Sequence, residues 1–185
     1  MDRNQALDDL RSIRRIMDHT RWTSGRYGGW FMIIAGAMWL VGFTASQFLP
    51  EDYVGWIWAV VSALGTLAMV WVGTHVARHS SVRAAPWWPF FLFWWVLAVF
   101  DLLLVWIFEI DESAKIGLLI LLTTALGYVQ FGSLYYWLIG GVGVLIGGLA
   151  IAAFLLIPAF FYLAMAILGG GLLIATGLWM VYSGK

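Results

Sequence analysis

The sequence predicts an all-α integral membrane protein, a bundle of six transmembrane helices preceded by an interfacial amphipathic helix. Three observations predict it. Of the 185 residues, 63% are hydrophobic and 11% charged, against about 25% charged in a typical soluble domain. A water-soluble chain of this size has no way to hide so much apolar surface. The apolar residues also fall into segments of about 20, the length that crosses a hydrocarbon core as a helix. Finally, the charges are segregated, with arginine at the head and in one later loop and carboxylates in two others. Formal net charge is zero, so no overall field recruits nucleic acid. The chain has no cysteine, which excludes disulfides, thiolate metal sites and cysteine nucleophiles.

The elements follow in order. Residues 1–27 form a polar head and residues 28–185 the membrane domain. The head lacks the pattern of a cleavable signal peptide, because its first long apolar run starts near Gly28 and is long enough to stay in the membrane. The first expected span, 29–49, is closed by Pro50-Glu51-Asp52. The second, 53–75, is closed by Ala77-Arg78-His79, and the third, 87–108, by Glu109-Ile110-Asp111-Glu112. Residues 116–184 contain no charge, which leaves room for three more crossings. Two marks divide that stretch. Tyr135-Tyr136-Trp137 has the aromatic composition of a membrane–water interface. Pro158 opens a helix well and interrupts one badly. The spans are therefore expected at 116–134, 137–157 and 159–182.

Orientation follows from the basic residues. Arg3, Arg11, Arg14, Arg15, Arg21 and Arg26 precede the first span, Arg78 and Arg83 lie between the second and third, and Lys185 ends the chain. The other loops carry Glu51, Asp52, Glu109, Asp111 and Glu112, with Lys115 as their one basic residue. The positive-inside rule then places both termini in the cytoplasm, as an even number of spans requires. The expected location is a bacterial cytoplasmic (inner) membrane. Most of the 13 tryptophans fit indole rings at headgroup depth: Trp22, Trp30, Trp87, Trp88 and Trp137 near cytoplasmic ends, Trp56, Trp58 and Trp106 near outer ends. A cofactor box is the sharper alternative for so many rings.

In the head, Ala6, Leu10, Ile13 and Met17 recur at helical spacing, and Ile16 broadens their stripe. Arg11, Arg14 and Arg15 share another flank, where Asp18 pairs at i−4 and i−3, and Arg21 follows. Such a helix lies in the interface with its stripe down and its arginines toward anionic headgroups. Two alternatives are packing on the protein's own loops and pairing with a partner helix, for which three turns are short. The head "LRSIRRIM", the six apolar segments and the close "LGGGLLIATGLWMVYSG" resemble a group of bacterial six-span membrane proteins of unassigned function. That resemblance implies the fold and carries over no activity and no catalytic residue.

Asp101 is the one acid inside an expected span. An ionised carboxylate near the membrane centre costs about 2.5–3.5 kcal/mol on insertion scales, so partners are expected. Ser62 and Thr66 on the second span, and Thr123, Thr124 and Gln130 on the fourth, lie on faces that would turn toward it. The functional reading is a proton relay, cation site or substrate contact. The structural reading is a neutral Asp that hydrogen-bonds helices together. His75 and His79, at i and i+4, have a spacing that suits a metal or an axial haem ligand, or else are merely interfacial. Gly143 with Gly147, and Ala166 with Gly170, form small-residue steps for close helix packing, within the chain or against another subunit. The glycines of 140–148 lack the strand that a dinucleotide fingerprint needs.

No motif names a reaction. The expected function is a small accessory, scaffold or regulatory membrane subunit, without catalysis or cofactor. Its expected partners are the bilayer with its anionic headgroups, other membrane subunits or a second copy. The alternatives are an oligomeric transporter or channel that uses Asp101, and a subunit that binds haem or pigment through His75 or His79.

Overall fold

In a computed structural model, residues 28–79, 88–134 and 137–183 are described, and they are almost wholly helical. The head, with Arg11, Arg14, Arg15 and Arg21 and its expected amphipathic helix, lies outside the described residues. Among the described residues, five helices are long and apolar enough to cross a membrane.

α1 (Gly28–Phe48) stops where Pro50 cannot continue the backbone ladder. α2 (Glu51–His79) restarts at once with Glu51 and Asp52 in its first turn, where carboxylates favour the helix dipole. α3 (Trp88–Ile107) contributes a shorter apolar run, Leu92–Ile107. Its end is a reversal in which Glu109 takes φ 47° and the Ile110 amide donates to the Val105 carbonyl at 3.1 Å. α4 (Ser113–Leu134) follows, its first free amides at Lys115 and Ile116 donating to Glu112 O. α5 (Trp137–Leu156) ends just before Pro158. α6 (Pro158–Tyr182) is composite, with a 3₁₀ turn at Pro158–Phe160, one α-helical turn at Phe161–Ala164, a π-helical stretch at Met165–Gly170 and a regular helix from Gly171 to Tyr182.

The helices pack in the order α2, α1, α6, α5, α4, α3. Backbones touch where glycine removes the side chain. A Cβ on Gly36 would lie 2.6 Å from Gly170 O, and one on Gly177 would lie 2.5 Å from Gly29 O. Gly29 and Gly36 on α1, and Gly170 and Gly177 on α6, are each seven residues apart and make an antiparallel α1–α6 seam. Gly132 against Gly140, and Gly143 against Ala125 O (2.6 Å from an added Cβ), close α4 on α5 in the same way. The fully buried side chains Leu121, Ile146, Phe161, Met165 and Leu173 all come from α4, α5 and α6.

The margins differ. α2 rests on α1 through Gly65 against the Met38 side chain and through Trp58 against Gly42. α3 packs on α4, far more sparsely than α4 packs on α5. Among the described residues, Gly65 is the one buried residue of α2 and Asp101 the one buried residue of α3.

The end that holds the α1–α2, α3–α4 and α5–α6 turns is tied by polar bonds. Ser113 Oγ donates to Glu51 Oε1 at 2.7 Å, and Lys115 pairs with Glu112 at 2.9 Å. Gln47 Nε2 donates to Ala159 O at 2.9 Å, while Gln47 Oε1 accepts from the Leu163 amide at 3.2 Å. One side chain thus satisfies two backbone groups at the irregular start of α6.

Candidate functional site

α3 is apolar around its circumference and inserts one carboxyl group into its seam with α4. Asp101 is 6% exposed. Its Oδ2 shares a hydrogen bond of 2.9 Å with Thr123 Oγ1 of α4. The same hydroxyl lies 3.1 Å from Leu119 O and 3.0 Å from Ile120 O, one turn back on its own helix. Asp101 Oδ1 is buried and has no hydrogen-bond partner.

Toward the other end of the seam, aromatic rings replace polar groups. Phe93 meets Phe131 edge-on at 4.8 Å, and Trp94 meets Tyr128 at 5.5 Å. Gly127 makes room for both, since an added Cβ would lie 3.1 Å from the Trp94 ring and 3.2 Å from Phe93. The face of α4 that carries Thr123 and Gly127 therefore does turn to α3, four residues apart as one helical face requires.

The remaining residues of the expected polar cluster lie elsewhere. Gln130 is exposed, Thr124 is half-buried, and neither hydrogen-bonds to Asp101. Ser62 is half-buried and Thr66 exposed, both on α2, which has no extended packing with α3. Thr123 is the partner the structure gives to Asp101.

The packing residues find distinct neighbours. Gly143 meets the backbone of α4, and Gly147 stands at ordinary contact distance, 3.4 Å, from Ala125 Cβ of the same helix. Ala166 is fully buried, and Gly170 abuts Gly36 of α1. Trp58, read from sequence as an interfacial ring, turns into the α1–α2 seam. There its Nε1–H donates to Ser46 Oγ at 3.0 Å and its ring meets Phe43 edge-on at 5.1 Å. Trp56 and Trp106 are strongly exposed, as rings at a lipid boundary are.

His75 stacks on Trp71, ring centroids 5.5 Å apart, while the side chain of His79 lies outside the described residues. Among the described residues no group of three or more His, Asp or Glu gathers in the manner of a metal site. An apolar groove of about 480 Å³ lies at the α1–α2 corner, lined by Leu49, Pro50, Tyr53, Trp56, Ile57, Val60 and Val61. It has no convergent polar groups of the kind that orient a small-molecule substrate.

Sequence reasoning missed Gln47, which bridges α1 to the start of α6, and the glycine seam of Gly29, Gly36, Gly170 and Gly177. The seam had a signal, because both pairs are spaced by seven. Gln47 had none beyond being an amide at the end of an apolar segment. No family model, no characterised protein and no solved structure matches this chain.

Proposed function

We propose that the chain is a six-span protein of a bacterial cytoplasmic membrane, both termini in the cytoplasm, that serves as a non-catalytic accessory, scaffold or regulatory subunit beside other membrane proteins. The observation that carries this reading is the display of α2. Its membrane-length window is 6% buried, against 22–33% for the other four spans. One flank of α2 reads Gly55, Ala59, Ser62, Thr66 and Gly73 at helical spacing, and an added Cβ at Gly55 would meet nothing within 4 Å. Small and hydroxylated residues let a second helix approach closely and hydrogen-bond in lipid. α1 covers the side of α2 that carries Trp58 and Gly65, and its Phe31 reaches Gly73 at one end of the flank. α3 is the sixth crossing in this reading, and the arginines of the head meet anionic headgroups. The resemblance of the head and the glycine-rich close to bacterial six-span proteins points the same way.

The test is purification in mild detergent. A stoichiometric membrane partner is expected, and Ala59→Leu with Thr66→Leu is expected to release it while leaving the fold intact. A chain that purifies alone, with both variants indistinguishable from wild type, contradicts the reading.

A transporter or channel reading has one observation of its own, the buried Asp101 with an unpaired oxygen. Intramembrane carboxyls mark ion and proton pathways in many pumps. That reading expects Asp101→Asn to abolish flux in proteoliposomes. The accessory reading expects no flux to lose.

A further inference from the structure

We infer that Asp101 is a proton-binding site, held within the α3–α4 seam as the neutral carboxylic acid and donating its own hydrogen to Thr123. The ground is a count of protons. A threonine hydroxyl has one hydrogen to give. Thr123 Oγ1 lies within hydrogen-bond distance of three acceptors, namely Asp101 Oδ2 at 2.9 Å, Ile120 O at 3.0 Å and Leu119 O at 3.1 Å. If Asp101 were a carboxylate, that single hydrogen would be its whole support. Oδ1 would stand charged, buried and without a donor, an arrangement that apolar surroundings penalise heavily.

One more proton removes the conflict. Asp101 Oδ2–H donates to Thr123 Oγ1, and Thr123 donates to the Ile120 or Leu119 carbonyl. Every hydrogen then has an acceptor. Oδ1 is left as a neutral carbonyl, for which the lack of a partner costs far less.

The described residues of α3 and α4 offer Asp101 no counter-ion. α4 is the element packed along α3. Its titratable side chains are Lys115, which pairs with Glu112 at 2.9 Å at the start of the helix, and Tyr128, which packs on Trp94. α3 itself carries no second charged residue. Asp101 is also the one buried residue described on α3. The group that fastens this helix near the carboxylate-bearing end is therefore the group that holds the proton, and loss of the proton would leave a buried charge with Thr123 as its one donor.

Infrared spectra of the purified protein in lipid vesicles at neutral pH test this. A carboxylic-acid carbonyl band is expected, because water-exposed carboxyls are ionised there. The band should be lost in Asp101→Asn, whose amide keeps a donor for Thr123. It should move in frequency in Thr123→Val, which removes the acceptor. Should Asp101→Asn fail to fold, ¹³C-aspartate in the wild-type chain replaces it, and the band should shift with the isotope. Absence of the band in the wild-type protein overturns the inference. A band that survives Asp101→Asn, or that ignores ¹³C-aspartate, places the proton elsewhere and overturns it too. A band unmoved in Thr123→Val refutes the donation.

Discussion

The body of the molecule (α1, α4, α5, α6) and its margins (α2, α3) overlap in hydropathy and are held by different means. In the body, helices meet backbone to backbone at Gly29, Gly36, Gly132, Gly143, Gly170 and Gly177. At the margins, α2 leans on one tryptophan and one methionine, and α3 on one carboxyl group and an aromatic cluster. In lipid no hydrophobic gain separates an inside helix from an outside one, since hydrocarbon surrounds both. Closeness of approach and hydrogen bonds decide instead. Hydropathy therefore does not rank these helices, and the position of small residues does.

The sharpest way to break the comparison is to put the same side chain into both regions. Gly36→Leu places a Cβ 2.6 Å from Gly170 O and 2.9 Å from Ile174 N, atoms that move only if a helix moves. Overpacking costs about 1–3 kcal/mol and occasionally more, and here the upper end is expected because the atoms struck include the backbone of α6. Gly55→Leu on α2 meets nothing within 4 Å. Its effect is expected to be slight and in the opposite direction, about 0.5–1 kcal/mol of gain from helix propensity. Thermal unfolding in mild detergent compares the two. Gly65→Ala should fall between them, because the atoms it strikes belong to the flexible Met38 side chain. Equal losses for Gly36→Leu and Gly55→Leu would erase the distinction between body and margin.

Next in size is Gln47→Leu. The substitution keeps the volume and removes both bonds to α6, leaving Ala159 O and the Leu163 amide unpaired. A buried orphaned polar group costs about 1–3 kcal/mol, and the lower end is expected because the Leu163 amide is part-buried and the bond to Ala159 O is exposed. The same denaturation experiment should show that loss, and Gln47→Glu should recover only the acceptor half of it. Smaller again is Thr123→Val at the margin. Interhelical hydrogen bonds in membrane proteins contribute about 0.6 kcal/mol on average and up to about 1.7, so a loss near 1 kcal/mol is expected. Ser62→Ala and Gln130→Ala, whose side chains do not reach Asp101, should leave stability within about 0.5 kcal/mol of wild type.

Much of the fold was legible, for a physical reason. Helices in lipid must satisfy every backbone group internally, so apolar segments of the right length are helices, and Pro50 and Pro158 mark their ends. Thr123 was legible as a candidate partner of Asp101, and the face it shares with Gly127 meets α3. What spacing could not supply was which helix stands opposite which. Ser62 and Thr66 have a spacing as regular as that of Thr123 and Gly127, yet α2 packs on α1 and not on α3. Gly143 and Gly170 were readable as contact residues. Their partners, α4 and α1, depend on the whole packing order and on no local pattern. Trp58 shows the same limit, because an indole near a span end reads as an interfacial anchor until Ser46 is seen to accept its N–H.

A modest effect of opposite sign is expected where the margin joins the body. The turn from α3 to α4 is made by Glu109 at φ 47°, with the Ile110 amide returning to Val105 O. This is the left-handed position that follows a helix, and glycine usually fills it because a Cβ there crowds the backbone. Glu109→Gly should relieve that crowding and stabilise the fold, with the entropy of a freer unfolded chain opposing part of the gain. A net rise of about 0.5–1 kcal/mol is expected on those terms. Glu109→Val, β-branched at the same φ, should cost stability instead. Should glycine and valine behave alike, the link between α3 and α4 carries no strain, and the looseness of α3 would then rest on its sparse contacts with α4 alone.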